Sequence, residues 1–423
     1  MHSLLKSQWG TSYTRARMLV NLWHHRRLAS CSLAIRERRA NLDRTLRQRA
    51  RQTVHATARK AILGIPGIPA RARRLEADLF FKDTNAREVD AQIAGLRPDA
   101  LFCLTPFLMD EEMAARVCVL RQIPSSAAIL SFDNLTTRSW IPMIFQQYLL
   151  WNRHNAEQLR RGYPESSQSQ VEIVGSPQFD FYWNQRYLWP EDEWRRNLGL
   201  PAGRRVILFG GGFYGCAPHE PQFLHHLDQA IEQNEIPGDA IILFRRHPVD
   251  PIERWLPVLQ GARHVVHDDP WKLGGKVLGH TNVRHEDIAK LASSLYHSSV
   301  HVNVASSMSV DGAILDRPQV GPAYDASPGR KYDRAAKECY LQEHYLPIYR
   351  SGGIDLVHSS HEMATAIRSA FENPGRAKQG RERIVEEICT FNDGKCTARV
   401  ATQVASFLEH STASREPVGK DAV

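Results

Sequence analysis

The stretch RVILFGGGFYG, residues 205–215, is a short apolar run that passes directly into glycines and aromatic residues. A run of this length bounded by turn residues predicts a buried strand over 205–209, and the residues that follow the loop predict a helix over 221–233. A strand that continues through a loop into a helix is the repeating unit of parallel α/β architecture. This stretch therefore predicts a parallel sheet with helices packed against it.

The same alternation of apolar runs and helical stretches continues on both sides of this segment. Toward the C-terminus it predicts strands at 240–244, 264–267 and 300–304, and helices at 286–295, 361–371 and 377–410. Toward the N-terminus it predicts strands at 99–105, 127–131, 148–151 and 171–174, and helices at 110–121, 155–161 and 184–200. Strands that alternate with helices favour parallel sheets over hairpins.

The length of 423 residues suits two domains with additional residues at the ends. We expect a basic helical extension over 1–84, a first Rossmann-like domain over 85–190 and a second over 200–376. A C-terminal helix over 377–410 and a disordered tail over 411–423 complete the prediction. The fold class is therefore α/β, with two Rossmann-like domains that face a central cleft.

Positive charge is concentrated in the extension. Residues 1–74 contain 17 Lys or Arg against two acidic residues, which gives +15 and leaves −7 for the rest of a chain whose net charge is +8. Three explanations are open: attachment to an anionic membrane surface through residues 1–75, contact with nucleic-acid phosphates, or a helical extension packed on the first domain. Nucleic acid is disfavoured, because no known base-reading motif accompanies the charge.

Composition also bears on the compartment. No apolar run approaches the roughly 20 residues that span a bilayer, and arginines recur through the N-terminus where a signal peptide would be apolar. The seven cysteines are scattered without CxxC spacing, which argues against a disulfide framework or a zinc site. We expect a cytoplasmic protein, peripheral at the inner face of the plasma membrane if the extension binds lipid.

Three polar loops follow predicted strands, where ligands bind in open parallel sheets. In the first, Gly210 to Gly215, the backbone of Gly211 and Gly212 could approach a phosphate closely; the alternative is a tight turn. In the second, Arg245 and Arg246 could form forked hydrogen bonds with a phosphate, and His247 could donate a hydrogen bond to the phosphate or protonate it. The alternative there is a basic turn that faces solvent.

The third loop is Ser306-Ser307-Met308-Ser309-Val310-Asp311. If Ser307 caps a helix that starts at Met308, hydroxyl and backbone N–H groups would face an anion at its N-terminus. Asp311 lies one turn further on, where it could accept hydrogen bonds from a ribose. The alternative is an ordinary serine cap with a first-turn Asp that the helix dipole favours.

Taken together, these loops resemble the C-terminal domain of GT-B glycosyltransferases. The likeness extends to the N-domain pattern of bacterial surface-polysaccharide glycosyltransferases, a group that includes CDP-glycerol glycerophosphotransferase-like proteins, and covers roughly residues 85–408. The motifs that carry it are Ser131-Phe132-Asp133-Asn134-Leu135-Thr136, Trp151-Asn152, Val174-Gly175-Ser176-Pro177-Gln178-Phe179-Asp180, Arg245-x-His247-Pro248 and Asp393-Gly394-Lys395.

The resemblance implies a GT-B-like fold and a nucleotide-sugar donor held by the second domain, with no metal and no cofactor besides the donor substrate. Two departures stand out: Asp311 replaces the usual Glu at the donor ribose, and no glycine-rich first loop is recognisable. The non-hydrolysing UDP-N-acetylglucosamine 2-epimerases share the fold, but their Ser-Gly-Gly and paired Glu are absent, which disfavours that activity.

Asp133 is the candidate catalytic residue, because it follows a predicted strand directly and could deprotonate an acceptor hydroxyl. Asn134, Thr136 and Thr137 would then bind the acceptor. An Asp at this position is also a common turn former or helix cap.

Three functions follow from these observations. The first is a glycosyltransferase that acts on a cell-surface glycan or a lipid-linked acceptor. The second is a polyol-phosphate transferase that uses a CDP-linked donor. The third is a non-catalytic GT-B-like binding or scaffold protein with a membrane-binding basic arm.

Overall fold

A computed structural model describes residues 11–35, 45–107, 109–214, 217–270, 283–325 and 336–413. The predicted tail beyond Ala413, and Gly215 of the glycine loop, lie outside these residues. The chain divides into two compact units. The first comprises Met1–Ser176 together with Cys396–Val423, and the second comprises Pro177–Lys395.

The first unit contains a four-stranded sheet in which all neighbouring strands are parallel and follow one another in chain order. Its strands are β1 (Leu101–Cys103), β2 (Ser125–Ala128), β3 (Gln147–Leu150) and β4 (Gln170–Ile173). Its helices are α1 (Thr11–Leu28), α2 (Leu46–Gly64), α3 (Ile68–Phe80), α4 (Thr84–Leu96), α5 (Met109–Leu120), α6 (Asn134–Thr137) and α7 (Arg153–Gly162), with a 3-10 turn at Pro164–Gln168.

Helices α1 and α3 of the basic N-terminal region pack into the first unit. Val20 of α1 and Ala72 of α3 lie in the core that also contains Tyr148 of β3. Arg17 of α1 donates to Glu76 of α3 at 3.2 Å and to Glu112 of α5 at 2.6 Å. At least one basic residue of this region, Arg17, therefore forms ion pairs within the first unit.

The second unit contains a six-stranded parallel sheet in the order β10-β9-β8-β5-β6-β7. Its strands are β5 (Arg205–Gly210), β6 (Ala240–Arg245), β7 (Val265–Asp268), β8 (Val300–Asn303), β9 (Gln319–Pro322) and β10 (Asp355–Val357). Numbered from β5 along the chain, this order is the 3-2-1-4-5-6 arrangement of a doubly wound nucleotide-binding fold. The order reverses between β5 and β8, whose residues Gly210 and Asn303 are partners across the sheet.

Helices surround the second sheet. They are α8 (Glu191–Leu198), α9 (Pro221–Glu232), α10 (Leu256–Leu259), α11 (His285–His297), α12 (Met308–Ile314), α13 (Lys337–Tyr340), α14 (Leu346–Arg350), α15 (Ser360–Glu372) and α16 (Lys378–Ile384). Shorter 3-10 segments lie at Pro177–Trp183, Gln185–Tyr187, Ile252–Arg254 and Glu343–Tyr345, and a π-helical turn at Val385–Cys389. The last helix, α17 (Cys396–Ala413), belongs to the first unit.

The central strands β5 and β6 are buried along almost their whole length, which explains their continuous apolar sequences. Leu208 and Leu243 from these strands pack with Trp194 of α8 and Leu295 of α11 in the main core of the second unit. No helix in the described part of the chain is long and apolar enough to span a membrane.

Three sequence-based predictions need correction. Residues 377–410 do not form one helix, because Thr390 and Gly394 both adopt positive φ, 63° and 68°, and end the helical path between α16 and α17. Strands β9 and β10 were not predicted. The segment 184–200 is not one helix either, since only Gln185–Tyr187 and Glu191–Leu198 are helical in it.

The unit boundary also differs from the predicted one. Residues from Pro177 onward belong to the second unit, where the Tyr182 hydroxyl donates to Asp311 and the Trp183 indole N–H donates to Asn392 at 3.3 Å. In α17, Val400 and Val404 pack on Leu149 of β3, which holds this helix to the first unit.

Candidate functional site

The candidate site lies at the carboxyl edge of the second sheet, where the strand order reverses. The loops that leave β5, β6 and β8 at this edge begin at Gly211, Arg246 and Val304. Ligands of open α/β sheets bind at such a reversal, because the loops on its two sides diverge and leave a crevice. All three sequence-predicted donor loops therefore lie at one edge of one sheet.

The glycine loop is held by a buried polar network. The Gly212 N–H donates to Glu220 Oε2 at 2.7 Å, and the Gly211 N–H donates to the Arg245 carbonyl oxygen at 2.8 Å. Arg254 donates to the Gly212 carbonyl oxygen at 3.0 Å and to Glu220 at 3.2 Å. Both backbone amides that the sequence assigned to a phosphate thus have acceptors inside the chain.

Steric crowding explains why glycines occupy this loop. A Cβ at Gly210 would lie 2.1 Å from the Met308 sulfur, and a Cβ at Gly211 would lie 2.9 Å from the Trp255 ring. Distances below 3.0 Å require the neighbouring atoms to move. Gly211 is therefore needed for packing whether or not a phosphate approaches it, because a ring is harder to displace than the flexible end of the Met308 side chain beside Gly210.

The same network fixes the segment after β6. Asp250 is buried and accepts from Arg254 Nε at 2.6 Å, from the Trp255 indole N–H at 2.7 Å and from the Tyr214 backbone N–H at 2.9 Å. Arg254 and Asp250 thereby tie the loop after β5 to the loop after β6. Sequence analysis missed Glu220, Asp250 and Arg254; the i, i+4 spacing of Asp250 and Arg254 was the one available signal.

Arg245 differs from its predicted role. It is buried and forms an ion pair with Asp268, its direct partner in the register between β6 and β7. Lys290 of α11 donates to the same carboxylate at 2.6 Å. The expected forked contact with a phosphate would have to compete with this pair, so Arg245 supports the edge of the sheet.

Arg246 is half-buried and also has partners within the chain. Its guanidinium donates to the Asp250 carbonyl oxygen at 2.6 Å and to Asp269 at 3.1 and 3.2 Å. Three cations, Arg245, Arg246 and Lys290, thus lie beside the two carboxylates Asp268 and Asp269. This cluster keeps a net positive charge at the carboxyl edge.

His247 has one ring nitrogen directed to the backbone. The Val249 N–H donates to His247 Nδ1 at 3.3 Å. Burial lowers the pKa of His247, while the Asp250 carboxylate opposes that shift. The neutral ring accepts at Nδ1, so its proton resides on Nε2, which makes Nε2–H a donor for an anionic ligand.

The serine loop after β8 is organised differently from the prediction. Helix α12 does begin at Met308, but the Met308 N–H donates to Ser306 Oγ at 3.2 Å, and Ser307 makes no side-chain cap. The Ser306 N–H in turn donates to Asn303 Oδ1 at 3.1 Å. Ser306 is therefore structural, and the exposed Ser307 is the serine that a ligand can reach.

Asp311 lies on α12 and accepts a hydrogen bond from the Tyr182 hydroxyl at 2.7 Å. Burial raises the pKa of Asp311 to about 7, and the Tyr182 hydrogen bond partly offsets this effect. The carboxyl that the sequence assigned to a ribose is thus engaged with Tyr182. Sequence analysis did not predict this contact, because the two residues are 129 positions apart.

Asp133 lies at the carboxyl edge of the first sheet, in the loop between β2 and α6. It is half-buried, and its carboxylate accepts from the Ser131 hydroxyl at 2.5 Å and from the Thr137 hydroxyl at 2.9 Å. The Asp133 side chain makes no helix-cap hydrogen bond. A half-buried carboxylate held by two hydroxyls is oriented, which a general base requires.

The predicted acceptor-binding residues are less available. Thr136 is fully buried and its hydroxyl donates to the Asp133 carbonyl oxygen at 3.0 Å. The Thr137 hydroxyl lies 3.0 Å from the same carbonyl oxygen, and Asn134 is buried. These side chains shape the turn that presents Asp133, which corrects their assignment as direct acceptor contacts.

No protein-family model matches the chain, and no curated protein matches its sequence. Solved structures do match it. A putative UDP-N-acetylglucosamine 2-epimerase from Listeria monocytogenes is 13% identical with a TM-score of 0.50, over 77% of this chain and 78% of that one. The MnaA–UDP co-structure from S. aureus is 10% identical with a TM-score of 0.50, over 77% and 80% of the two chains.

The UDP-GlcNAc 2-epimerase from Neisseria meningitidis bound to UDP-GlcNAc is 12% identical with a TM-score of 0.50, over 76% of this chain and 81% of that one. At these identities the similarity concerns the fold. The chain therefore has a GT-B-type fold built from two Rossmann-like parallel-sheet units, which confirms the predicted α/β class with two Rossmann-like domains.

Proposed function

We propose that the protein is a glycosyltransferase that moves a sugar from a nucleotide-activated donor to a cell-surface glycan or a lipid-linked acceptor. The observation that carries the proposal is the strand-order reversal in the second sheet, with ligand-accessible groups at its carboxyl edge. Phe213, Tyr214 and Ser307 are exposed there, and His247 is half-buried beside Phe213, with 6.2 Å between the ring centroids.

Each of these groups suits one part of a nucleotide-activated donor. The His247 Nε2–H and the Ser307 hydroxyl would donate to diphosphate oxygens, and the net positive cluster around Arg246 would favour their charge. The exposed Phe213 and Tyr214 offer aromatic faces against which a base can stack. In this proposal Gly211, Gly212, Arg245, Ser306 and Asp311 support the site from within.

For the chemical step we propose Asp133 as the base that takes the proton from the acceptor hydroxyl. The two hydroxyl groups that donate to its carboxylate hold it in one orientation. General-base catalysis of this kind contributes about 10²–10⁴-fold to the rate. Asn134, Thr136 and Thr137 act through Asp133 by shaping its turn.

The alternative reaction is transfer of a polyol phosphate from a CDP-linked donor, which the Arg245-x-His247-Pro248 motif also suits. Both reactions need an anionic donor at the same edge, so product identity separates them. Epimerisation is the reaction named for the matched structures. It is disfavoured here, because Ser306-Ser307-Met308 replaces the Ser-Gly-Gly motif; an epimerase would also convert its substrate without any acceptor.

A lipid-linked acceptor would place the reaction at the inner face of the plasma membrane. We propose that the protein is cytoplasmic and attaches there peripherally through residues 1–75. Of that region, α2 is the helix with the least packing within the first unit, since most of its described side chains are exposed.

The test is a thermal-shift panel of UDP-, CDP-, GDP- and dTDP-linked sugars and CDP-glycerol, followed by calorimetry and turnover assays. A donor that binds the folded protein raises its Tm. His247→Ala and Ser307→Ala should weaken its binding, His247→Ala by about tenfold or more. His264→Ala is the control, because His264 precedes β7 at the opposite edge of the sheet.

Asp133→Asn should lower turnover by about 10²–10⁴-fold with donor affinity intact. Unchanged donor affinity in both His247→Ala and Ser307→Ala would eliminate this donor site. Turnover close to wild type in Asp133→Asn would remove Asp133 from the mechanism.

A further inference from the structure

Helix α2 carries an apolar stripe that faces solvent. Leu46, Ala50, Val54, Ala58 and Ile62 follow one another at intervals of four residues, and because each step rotates the side chain by about 40°, the row winds across the half of the helix surface centred on Val54. All five are exposed, with Leu46 at 82%, Val54 at 68% and Ile62 at 44% of their maximal accessible area. Three large apolar side chains separated by alanines in an exposed row indicate a surface that contacts a membrane or a partner.

The stripe lies opposite the side of α2 that packs on the first unit. Among the described side chains of this helix, Leu63 is the buried apolar one, and it follows Val54 by nine residues, or two and a half turns. Its side chain therefore points about 180° away from that of Val54. A capping box stabilises the start of the helix: the Gln48 N–H donates to Thr45 Oγ1 at 3.3 Å, and the Thr45 N–H donates to Gln48 Oε1 at 2.9 Å.

Basic residues border the stripe. Arg47 and Arg51 are both exposed, and they precede Ala50 and Val54 by three residues, which places them beside these side chains. Residues 44–75 contain no Asp or Glu. The surface thus combines exposed aliphatic side chains with positive charge that no acidic residue of this segment offsets.

The other basic helix of this region differs in this respect. In α1, Arg17 is paired with Glu76 and Glu112, and Arg27 is paired with Glu165 at 2.9 Å. These guanidinium groups serve the packing of α1 in the first unit. Net charge alone does not distinguish α1 from α2, but the contacts do.

We propose that α2 is the element that lies on an anionic phospholipid surface, with the stripe from Leu46 to Ile62 entering the boundary between headgroups and acyl chains. The inference rests on the membrane attachment proposed above and names the surface that makes it. Arg47 and Arg51 would contact lipid phosphates. Amphipathic helices with a basic border bind membranes in this orientation.

Charge decides between lipid and the other occupants of such a surface. A two-fold dimer would bring the same patch of two copies together, and with it arginines of like sign without an acidic residue to offset them. Nucleic acid would use the arginines but leave the exposed Leu46 and Val54 without an apolar partner. An anionic lipid surface offers phosphates to the arginines and an apolar phase to Leu46 and Val54.

The experiment uses the full chain and vesicles of phosphatidylcholine with phosphatidylglycerol, against vesicles of phosphatidylcholine alone. Wild type should sediment with the anionic vesicles. Leu46→Ser/Val54→Ser should lower the affinity by about tenfold or more, because two apolar side chains no longer enter the lipid. Arg47→Gln/Arg51→Gln should lower it by about fivefold per residue at low salt, with a smaller effect at high salt.

Leu96→Ser/Leu120→Ser is the matched control, since both leucines are exposed in the first unit, at 69% and 51%, outside the basic region. The proposal is overturned if wild type does not bind, or if the stripe variant binds as wild type does. It is also overturned if sedimentation velocity shows a dimer that the stripe variant breaks, or if a DNA duplex binds in a manner that needs the arginines but not the stripe.

Thermal unfolding of each variant checks that the first unit remains folded, and the salt dependence of the arginine variant keeps the test decisive if the serine variant unfolds. Donor binding, measured in parallel by calorimetry, should be equal in all these variants. If wild type binds no donor, the proposed transferase function is rejected, but the conclusion from the vesicle experiment is unaffected.

Discussion

Glu220 lies fully buried beneath the glycine loop, where its carboxyl accepts from the Gly212 N–H. Burial raises the pKa of Glu220 to about 8, although Arg254 opposes the shift. Arg254 also pairs with Asp250, whose carboxylate lies 2.6 Å from Arg254 Nε, so one guanidinium contacts two buried acidic side chains. A proton retained on Glu220 reduces the repulsion between them.

This proton predicts a pH dependence of stability. In the unfolded chain Glu220 titrates near 4.5, and in the folded chain near 8. Between these values the folded protein binds more protons, so its free energy of unfolding falls as pH rises from about 4.5 to 8. Glu220→Gln keeps an acceptor for Gly212 but cannot ionise, and it should remove about 4 kcal/mol of that fall.

Urea unfolding of wild type and Glu220→Gln at pH 5, 6.5 and 8 measures the effect through tryptophan fluorescence. Glu232→Gln is the control, since Glu232 is the last residue of α9, the helix that Glu220 precedes, and is exposed and paired with Arg263 at the surface. Parallel pH curves for wild type and Glu220→Gln would show that Glu220 is ionised throughout.

The residues of the candidate site show what sequence can predict at this scale. The positions of Arg245, His247, Ser307 and Asp311 at strand ends follow from the apolar runs before them. Their partners do not, because each partner comes from a distant segment: Asp268 is 23 positions from Arg245, and Tyr182 is 129 from Asp311. Only the register of the strands and the packing of α12 bring them together.

At the scale of elements, the strands that sequence analysis missed lack the usual signal. β9 has the sequence QVGP, and Gly and Pro both weaken the prediction of a strand. It forms because it is buried between β8 and β10, with Val320 opposite Val302 and Pro322 opposite Val357. β5 and β6 were predictable because strands buried on both faces are continuously apolar.

Helix α1 supports a prediction about the basic N-terminal region. Arg17 donates to Glu76, to Glu112 and to the Trp140 carbonyl oxygen, which joins α1 to α3 and α5. Removal of one partner from a buried ion pair costs about 3–5 kcal/mol, because the remaining charge stays buried. Arg17→Met should therefore destabilise the first unit by about that amount.

Arg15→Met is the control, since Arg15 is exposed on the same helix. Chemical denaturation followed by circular dichroism compares the two variants with wild type. If Arg17→Met is as stable as Arg15→Met, the ion pairs of Arg17 do not stabilise the first unit.

At the scale of the whole molecule, the division of the chain predicts which piece of it folds alone. The second unit begins at Pro177, before the segment that carries Tyr182, Trp183 and α8. It ends at Lys395, after α16, where buried Arg381 donates to Asp316 at 2.7 Å. The boundary expected from sequence, 200–376, omits both flanking segments.

These flanks contribute to the core and the site of the second unit. Trp194 of α8 is fully buried with Leu208 and Leu243, and its indole N–H donates to Ser294 at 3.1 Å. Loss of a buried tryptophan alone costs about 3–5 kcal/mol, which is a large part of the stability of an ordinary domain. The flanks also supply Tyr182, the hydrogen-bond donor to Asp311.

We therefore expect residues 177–395, expressed alone, to unfold cooperatively and to bind the donor with the affinity of the full chain, since all the proposed donor contacts lie within them. Residues 200–376 are the matched fragment, and they should be unfolded or should melt far below 177–395. Thermal scans monitored by circular dichroism and calorimetry with the donor measure both. Equal stability of the two fragments would mean that the flanks do not belong to this unit. A folded 177–395 that no longer binds a donor retained by the full chain would place part of the donor site in the other unit.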